Sequence, residues 1–303
     1  MEIRVLRYFL EAAREESITR AAERLHISQP TLSKQLKDLE DELGQKLFTR
    51  TNYSIRITEA GMLLRKRAED ILDMVDKTAS EFQSLDMDIR GDIHIGCAES
   101  DGIKHLARCL DTLHKVNPGI RYHLHSGNTE DIAGRLDKGI LDFAIIAQNV
   151  DLSKYNYLEL PHSDIWGIIM RQDSPLADKK AIQAEDLLDL PLICSRQGMA
   201  VDYPKFFGEK VDALNVVATF NLVYNAAILV REGLGYAFSF DKLVDTSPDS
   251  GLCFRPLSPV LETKMYVIWK KYQMFSPAAE LLLKEMKEQF SKEYPEMLDK
   301  KAL

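Results

Sequence analysis

The stretch from residue 17 to residue 50 constrains this fold most, because two short helical patterns meet there at a tight polar corner. Ser17 can cap the first of these helices. Ser28 can cap the second, with Pro30 in its first turn, where a missing N–H costs nothing. Gly44 is placed to end that helix, whose first turn carries small polar and basic side chains. A helix presented in this way can enter a DNA groove.

Regular patterns flank this corner on both sides. Apolar residues from Ile3 to Ala13 recur at helical spacing, and Leu47 to Ile57 alternates as a short two-stranded wing. Thr58 can cap a long helix to about Leu85 whose apolar spacing is typical of a coiled-coil seam. A seam between two chains is the favoured interpretation, and packing of this helix on the body of its own chain is the alternative. The seam positions are Leu64, Ala68, Ile71, Val75, Thr78, Phe82 and Leu85.

Charge is unevenly distributed along the 303 residues. The formal net charge of −8 does not by itself suit a nucleic-acid binder. Residues 1–67, however, contain 13 lysines and arginines against 10 acidic residues, and the remainder contains 26 against 37. A weakly basic head on an acidic body keeps a local attraction for phosphates. A chain of this length suits two or three domains.

Several classes of protein are disfavoured by the sequence. The cysteines Cys97, Cys109, Cys194 and Cys253 form no CxxC pair, which argues against a disulfide framework or a zinc site. No GxSxG, Walker or HExxH pattern is present, so we predict neither an enzyme nor a bound metal or cofactor. Charges in the first helical pattern argue against a signal peptide, and no uncharged apolar run reaches the roughly 18 residues of a membrane helix. The cytoplasm is the expected location.

Beyond about residue 90, strand and helix patterns alternate, which predicts parallel sheets with crossover helices. The last strand and helix are expected to return to the first α/β unit. The predicted strands are 93–97, 120–124, 143–147, 165–170, 192–194, 236–240 and 264–270. The predicted helices are 103–116, 129–138, 222–231 and 277–290.

The head resembles that of the LysR-type transcriptional regulators, and the resemblance extends over nearly the whole chain. The turn, the wing and the start of the long helix occur in the family's order, which makes the match more specific than a helix-turn-helix pattern alone. The matching residues are Phe9, Ser17, Thr19-Arg-Ala-Ala22, Leu25, Ser28-Gln-Pro30, Leu32-Ser33, Leu36, Leu39-Glu40, Leu43-Gly44, Leu47-Phe48, Arg50 and Thr58-Glu-Ala-Gly61.

This resemblance implies a multidomain chain that combines an α-helical head with an α/β body. The expected parts are an N-terminal winged helix-turn-helix at 1–58, a long linker helix for dimerisation at 59–90 and an effector-binding domain at 91–303. The last part is expected to resemble the periplasmic binding proteins and to have two α/β subdomains. Subdomain I is expected at about 91–161 and 263–303, and subdomain II at about 162–262.

Helical spacing leaves one face of the third helix exposed, and the resemblance implies that this face touches DNA. Gln29 can pair with an adenine edge, and Lys34 with guanine or phosphate. Pro30 or Thr31 can touch a thymine methyl group, whereas Lys37 is better placed for a phosphate. The arginines that flank the wing can bind backbone or enter a minor groove. A solvated helix face is the alternative for each. The predicted DNA-binding residues are Ser28, Gln29, Pro30, Thr31, Ser33, Lys34, Lys37, Arg50 and Arg56.

The resemblance also implies a small-molecule effector, a metabolite, in the cleft at the C-terminal ends of strands. Ser100 and Thr129 are expected at helix N-termini, which favour an anion, and Arg196 can pair with a carboxylate. Ordinary N-capping is the alternative for the Ser, Thr and Asn residues. Glu99 and Asp101 argue against an anion, and a ligand with both an amine and a carboxylate reconciles the two. The predicted effector-binding residues are Ala98, Glu99, Ser100, Asn128, Thr129, Ala147, Gln148, Ser195, Arg196 and Asn221.

The predicted function is that of a sequence-specific transcription regulator modulated by its effector. Two-fold pairing predicts an inverted-repeat DNA site, the family implies a homodimer or homotetramer, and RNA polymerase is a further candidate partner. The rival classes are a solute-binding protein, expected to have a signal peptide and no head, and an enzyme with an accessory DNA-binding head, expected to have a nucleophile or an acid–base pair in the cleft. Cys97 and Cys194 are expected in the core, with redox sensing as the alternative.

Overall fold

The structure is a computed structural model that describes residues 1–50, 54–83, 90–147 and 151–293. Its contacts divide the chain into two units, the head Met1–Phe82 and the body Gln83–Leu303. The predicted wing tip, the seam position Leu85 and the effector residue Gln148 lie outside the described residues. No helix within the described part combines the length and the apolar character needed to cross a membrane.

The head is a helix-turn-helix followed by a two-stranded wing and a long helix. Its elements are α1 Ile3–Glu15, α2 Ile18–Arg24, α3 Gln29–Leu43, β1 Phe48–Arg50, β2 Ile55–Ile57 and α4 Glu59–Gln83. The Ser17 hydroxyl caps α2 by accepting from the N–H of Arg20 at 3.4 Å. The Thr58 hydroxyl caps α4 by accepting from the N–H of Gly61 at 3.0 Å. Gly44 ends α3 in the left-handed region at φ 65°, so these predicted helix boundaries are confirmed.

The core of the head extends into the long helix α4. Phe9 and Leu36 are almost completely buried at its centre. Ala68 and Leu72 of α4 belong to the same core, and Ile71 packs against it. The first half of α4 therefore packs on its own head, which was neither the predicted seam nor the alternative of packing on the body. The prediction of Ala68 as a seam residue is wrong, because contacts within one chain already enclose it.

The body is built on one mixed sheet of nine strands in its described part. The strands are β3 Gly91–Cys97, β4 Ile120–Ser126, β5 Phe143–Ala147, β6 Tyr155–Arg171, β7 Leu192–Ser195, β8 Val216–Phe220, β9 Tyr236–Phe240, β10 Leu252–Pro256 and β11 Glu262–Lys270. The helices are α5 Ile103–Val116, α6 Thr129–Asp137, α7 Arg196–Val201, α8 Tyr203–Phe207, α9 Val223–Arg231 and α10 Pro277–Glu293. The sheet order is β4-β3-β5-β11-β6-β9-β7-β8, with β10 paired to β6.

Two sets of parallel strands lie on either side of the long strand β6. Strands β3, β4 and β5 pair in parallel in one set, and β7, β8 and β9 in the other, as the strand and helix alternation predicts. The first set has its own core around Ile95 and Phe143, and the second has cores around Leu192 and Ile193. Leu282 of α10 lies in the first core, so the predicted return of the last helix is confirmed.

The long strand β6 passes from the first set of strands to the second. Its first half pairs antiparallel with β11, and its second half pairs with β9 and β10. The predicted strand covered only residues 165–170, whereas β6 begins at Tyr155. Strands β8 and β10 were missed as well. Their pairing partners are distant along the chain, and a local pattern does not show such pairings.

Candidate DNA-reading face and effector cleft

The first turn of α3 is fixed by a cap and a proline. The Ser28 hydroxyl accepts a hydrogen bond from the N–H of Thr31 at 3.3 Å, and the hydroxyl oxygens of the two residues are 2.7 Å apart. Pro30 lies within the first turn of the helix. Ser28 and Thr31 therefore hold the turn together, and this arrangement leaves the neighbouring side chain of Gln29 exposed to solvent.

The exposed face of α3 carries two lysines beside Gln29. Lys34 and Lys37 are exposed, and within the described residues neither makes an ion pair or a side-chain hydrogen bond. A groove beside them extends to the start of the wing. It is lined by Gln29, Pro30, Ser33, Lys34, Lys37, Glu40, Lys46 and Phe48. Five of the nine predicted DNA-binding residues are thus brought together around one groove, and its cations are available to phosphates.

A buried carboxylate joins the end of α3 to the wing. Glu40 Oε1 accepts hydrogen bonds from the N–H groups of Leu47 at 2.9 Å and Phe48 at 3.2 Å. Glu40 Oε2 accepts from Lys46 Nζ at 3.0 Å. Burial by itself raises the pKa of Glu40, but Lys46 and the two N–H groups more than offset this effect and hold the pKa below its ordinary value. No structural role was predicted for Glu40 from the sequence.

The wing places one predicted arginine on the surface. Arg56 is exposed on β2, and its carbonyl accepts from the Thr49 hydroxyl at 3.3 Å. Arg50 lies in β1 opposite Ile55, but its side chain is outside the described part of the structure. A DNA contact by Arg50 therefore stays a prediction.

A cavity opens in the body where β3, β5 and β7 end. The space inside it that the centre of a water-sized molecule can occupy is about 70 Å³, and the cavity is open to solvent on one side. It is lined by Ala98, Glu99, Gly127, Asn128, Ala147, Trp166, Ser195, Gln197, Gly198, Asp202, Phe220, Asn221, Leu222, Val223, Phe238, Ser239, Phe240 and Leu243. Six of the ten predicted effector-binding residues are brought together here: Ala98, Glu99, Asn128, Ala147, Ser195 and Asn221.

Hydrogen bonds connect the two sides of this cavity. Glu99 follows β3, and its Oε2 accepts from the N–H of Val223 at the start of α9 at 2.6 Å. Gln197 of α7 bonds twice to Thr129 of α6. Its Nε2 donates to Thr129 Oγ1 at 3.1 Å, and its Oε1 accepts from the N–H of Thr129 at 3.3 Å. Both connections join the first set of strands and helices to the second.

Two acidic side chains line the cavity. Burial raises the pKa of Glu99, and the hydrogen bond from Val223 only partly offsets this effect. Burial also raises the pKa of Asp202, against the opposing effect of Lys205, whose Nζ lies 3.1 Å from Asp202 Oδ1. No lysine, arginine or histidine is among the described residues that line the cavity.

Three predicted effector-binding residues lie outside the lining. Ser100 is buried, accepts from the N–H of Gly102 at 2.8 Å and bonds to the carboxylate of Asp164. It precedes the start of α5, which begins at Ile103 as predicted, and its hydroxyl accepts within the turn before that helix. Thr129 is buried behind its partner Gln197. Arg196 is exposed and donates to the hydroxyl of Thr219 at 3.4 Å, so it does not supply the expected carboxylate contact in the cavity.

The aromatic wall of the cavity was missed. Trp166, Phe220, Phe238 and Phe240 line it, and the rings of Trp166 and Phe240 are 4.3 Å apart between centroids. These residues alternate within strands, which is also the pattern of an ordinary core. A signal was available, however, since Phe220 and Phe240 are the last residues of β8 and β9. The general rule for strand ends therefore indicates Phe240 from the predicted strand 236–240, and it indicates Phe220 once β8 is known.

The two cysteines that were predicted to lie in the core are buried in the structure. Cys97 and Cys194 are buried, and burial raises the pKa of each to about 12. Thiols of this kind hold little of the thiolate that reacts with oxidants. Within the described residues no group of three or more His, Cys, Asp or Glu side chains could hold a metal ion.

A helix-turn-helix head followed by an α/β body with a cavity is the architecture of ligand-responsive DNA-binding proteins. Comparison with known families agrees with this class. Residues 3–62 match the family model described as "Bacterial regulatory helix-turn-helix protein, lysR family". Residues 88–291 match the model described as "LysR substrate binding domain". The chain therefore belongs to the LysR family of transcription regulators.

Similar proteins support this membership. The "Hydrogen peroxide-inducible genes activator" of Pectobacterium carotovorum is 34% identical over 200 residues, and the match spans 65% of each protein. The "Probable RuBisCO transcriptional regulator" of Thalassiosira pseudonana is 31% identical over 77% of this chain and 79% of its own length. The "Uncharacterized HTH-type transcriptional regulator YnfL" of Escherichia coli K12 is 27% identical over 92% of this chain and 95% of its own length.

Solved structures show the same fold. Full-length CbnR in complex with its target DNA has a TM-score of 0.72 and 17% identity, and covers 95% of this chain and 100% of its own. A full-length OxyR variant from Pseudomonas aeruginosa has a TM-score of 0.52 and 25% identity, and covers 94% of this chain and 99% of its own.

Proposed function

We propose that this chain regulates transcription by binding DNA in a sequence-specific manner, and that a small molecule in the body's cavity modulates this binding. The observation that carries the proposal is the exposed face of α3. It combines Gln29, which can read a base edge, with two lysines that have no partner within the described residues. The solved complex of CbnR with its target DNA supports DNA as the partner.

The residues of this face fall into two roles. Gln29 lies in the first turn of α3, which the Ser28 cap and Pro30 hold in place, and we assign it to base reading. Lys37 lies two turns further along the helix, and we assign it to a phosphate. Ser33 and Lys34 line the same groove as Gln29 and Lys37, and Arg56 is exposed on the wing; these three residues complete the proposed contact set.

The proposed DNA site is an inverted repeat read by a homodimer or a homotetramer. Exposed apolar side chains mark surfaces where two chains can meet. On α4, Met62 and Leu63 are 56% and 62% exposed. On the body, Leu124 and Val217 are 54% and 44% exposed and lie on β4 and β8, the two outer strands of the sheet order. We propose these surfaces as contacts between chains in place of the seam position Ala68, which is buried within its own chain.

In this proposal, effector binding changes the position of the two sides of the cavity relative to one another. Hydrogen bonds of Glu99 and Gln197 already join these two sides. RNA polymerase is a proposed further partner, and regulation rather than catalysis is the proposed role, carried out on DNA in the cytoplasm.

One relative is named for induction by hydrogen peroxide. The raised pKa values of Cys97 and Cys194 do not support that signal for this chain.

Selection of bound sequences from random double-stranded DNA by the full-length chain tests the proposal. We expect enrichment of an inverted repeat with half-sites about one helical turn, or roughly 10 base pairs, apart. Recovery of DNA without any shared sequence would contradict sequence-specific binding. Recovery of single half-sites would contradict the proposed pairing of two heads.

A further inference from the structure

We propose that the cavity selects an organic cation, a protonated amine on an apolar or aromatic body, and that Glu99 is its counter-ion. This inference rests on the proposed function, because it takes the cavity to be the effector site. It differs from the expectation drawn from Ser100, Thr129 and Arg196, which favoured an anion.

The charge of the lining is negative and only partly balanced. The two ionisable acids among the described lining residues are Glu99 and Asp202, with no basic residue beside them. Asp202 has a cation within the chain, since Lys205 Nζ lies 3.1 Å from Oδ1. Glu99 accepts from the neutral N–H of Val223, and no described residue forms an ion pair with it. The cavity therefore contains a carboxylate whose charge a cationic ligand would balance.

At each of the three helix starts around the cavity, one N–H group that could bind an anion already has an acceptor within the chain. A free helix N-terminus attracts anions through its N–H groups. At the start of α9, however, the N–H of Val223 donates to Glu99, and at the start of α6 the N–H of Thr129 donates to Gln197. At the start of α7, the N–H of Gly198 donates to the Ser195 hydroxyl at 3.3 Å. An anionic ligand would have to displace these acceptors and lie beside Glu99 as well.

The aromatic wall suits the apolar part of such a ligand. Trp166, Phe238 and Phe240 line the cavity together with Glu99. The indole N–H of Trp166 already donates to Thr263 Oγ1 at 2.9 Å, so this side chain offers the cavity ring surface rather than a donor. Aromatic rings attract cations through their faces, and a carboxylate with aromatic neighbours is a common recognition site for ammonium groups.

A charge-based contact predicts a particular dependence on pH. Burial raises the pKa of Glu99, whereas a bound cation favours the carboxylate. The proton and the ligand therefore compete, and the affinity for an amine should fall as the pH drops through the pKa of Glu99. An alkylammonium ion keeps its charge below about pH 9, so the ligand itself does not titrate in this range.

Three probes with the same phenylethyl body test the inference on the full-length chain. They are 2-phenylethylamine, 2-phenylethanol and 3-phenylpropionate, each titrated to about 10 mM, since ligands of this size bind in the millimolar range. Melting temperature and calorimetry are measured between pH 5 and pH 8 for the wild type, Glu99→Gln and Asp101→Asn. Asp101 is a matched control, because it is a neighbouring acid that pairs with Lys104 outside the cavity lining.

We expect the amine alone to raise the melting temperature of the wild type and of Asp101→Asn. Glu99→Gln should bind the amine roughly 10-fold more weakly or worse, because a hydrogen bond to a charged group is lost, and its residual affinity should vary less with pH than that of the wild type, since only Asp202 remains as an ionisable acid in the lining. The inference is overturned by equal or stronger binding of the alcohol or the propionate, by unchanged amine binding to Glu99→Gln, or by no binding of any probe.

The same preparations are tested for DNA selection. Loss of DNA binding refutes the proposed function, whereas retained DNA binding with failed amine binding refutes the ligand class alone.

Discussion

Glu40 in the head and Glu99 in the body are both removed from bulk solvent, but their surroundings move their pKa values in opposite directions. Glu40 receives two N–H groups and the Lys46 ammonium, so its charge is balanced within the chain. Glu99 receives one neutral N–H, and its charge lacks a cation among the described residues. A buried carboxylate with a full set of partners stabilises a fold. A buried carboxylate that has no cation beside it is suited to bind a cationic ligand.

The two regions also differ in how they are assembled. The DNA-reading face is one turn-and-helix segment whose cap, proline and lysines are close in sequence. The cavity collects residues from many segments between Ala98 and Leu243. Damage to the head should therefore abolish DNA binding and leave ligand binding in the body intact. The substitutions below, taken in order of decreasing effect, test whether DNA binding by the head and ligand binding by the body are independent.

Leu36→Ala should have the largest effect, because it empties a completely buried position in the core of the head. Such a change costs about 2–5 kcal/mol and should abolish DNA binding. Binding of 2-phenylethylamine to the body should persist. The exposed neighbour Asp38→Ala serves as the control and should change neither property. Loss of amine binding in Leu36→Ala would show that the two regions are not independent.

Glu40→Ala should come next, because it leaves the buried N–H groups of Leu47 and Phe48 without their acceptor. The expected loss is about 1–3 kcal/mol for each unsatisfied group, measured as a lower melting temperature of the head. The pKa of Glu40 is lowered on folding, so its stabilisation is present above the ordinary value of 4.5 and is lost as the pH falls below it. The difference from the wild type should therefore shrink in acid. A constant difference at all pH values, or an equal effect of the exposed neighbour Asp41→Ala, would refute the role of this carboxylate.

Gln29→Ala and Lys37→Ala should separate base reading from phosphate binding. Gln29→Ala should reduce discrimination between the selected site and a mismatched site by about 1–3 kcal/mol. Lys37→Ala should weaken binding to both sites equally and reduce the salt dependence by about one phosphate contact. Anisotropy titrations at several salt concentrations measure both effects. If the two variants change specificity in the same way, the assignment of roles along α3 is wrong.

Glu99→Gln without ligand should have the smallest effect and the opposite sign to the change at Glu40. The pKa of Glu99 is raised on folding, so its carboxylate destabilises the body at neutral pH. The substitution should raise the melting temperature slightly, by less than about 1 kcal/mol of stability, since glutamine can still accept from Val223. This gain should vanish as the pH falls below 4.5, where Glu99 is neutral in both states. A melting temperature lowered at neutral pH would contradict the unbalanced charge.

Sequence reasoning succeeded where the determining contacts are local. The caps Ser17, Ser28 and Thr58 and the terminator Gly44 act within a few residues, so their signals are visible in the chain itself. The family resemblance, with which the general rule for strand ends agrees, likewise implied Glu99 and five other residues that line the cavity.

Contacts between distant segments account for what the sequence did not show. Ala68 is enclosed by a core that includes Phe9, and Ser100 bonds to Asp164 of β6, the strand between the two sets. Phe220 reaches the cavity through strand β8, which lies at the end of the sheet and was not predicted. Local spacing carries no information about which of these distant segments meet.

The most direct test of the regulated DNA binding proposed here is an anisotropy titration of the selected inverted repeat with full-length wild type and Glu99→Gln, each with and without saturating 2-phenylethylamine. Coupling between two sites in one protein is typically about 5- to 150-fold in affinity. The account predicts a shift of the DNA Kd within this range for the wild type and no shift for Glu99→Gln. An amine that binds the wild type and leaves its DNA Kd unchanged would contradict it.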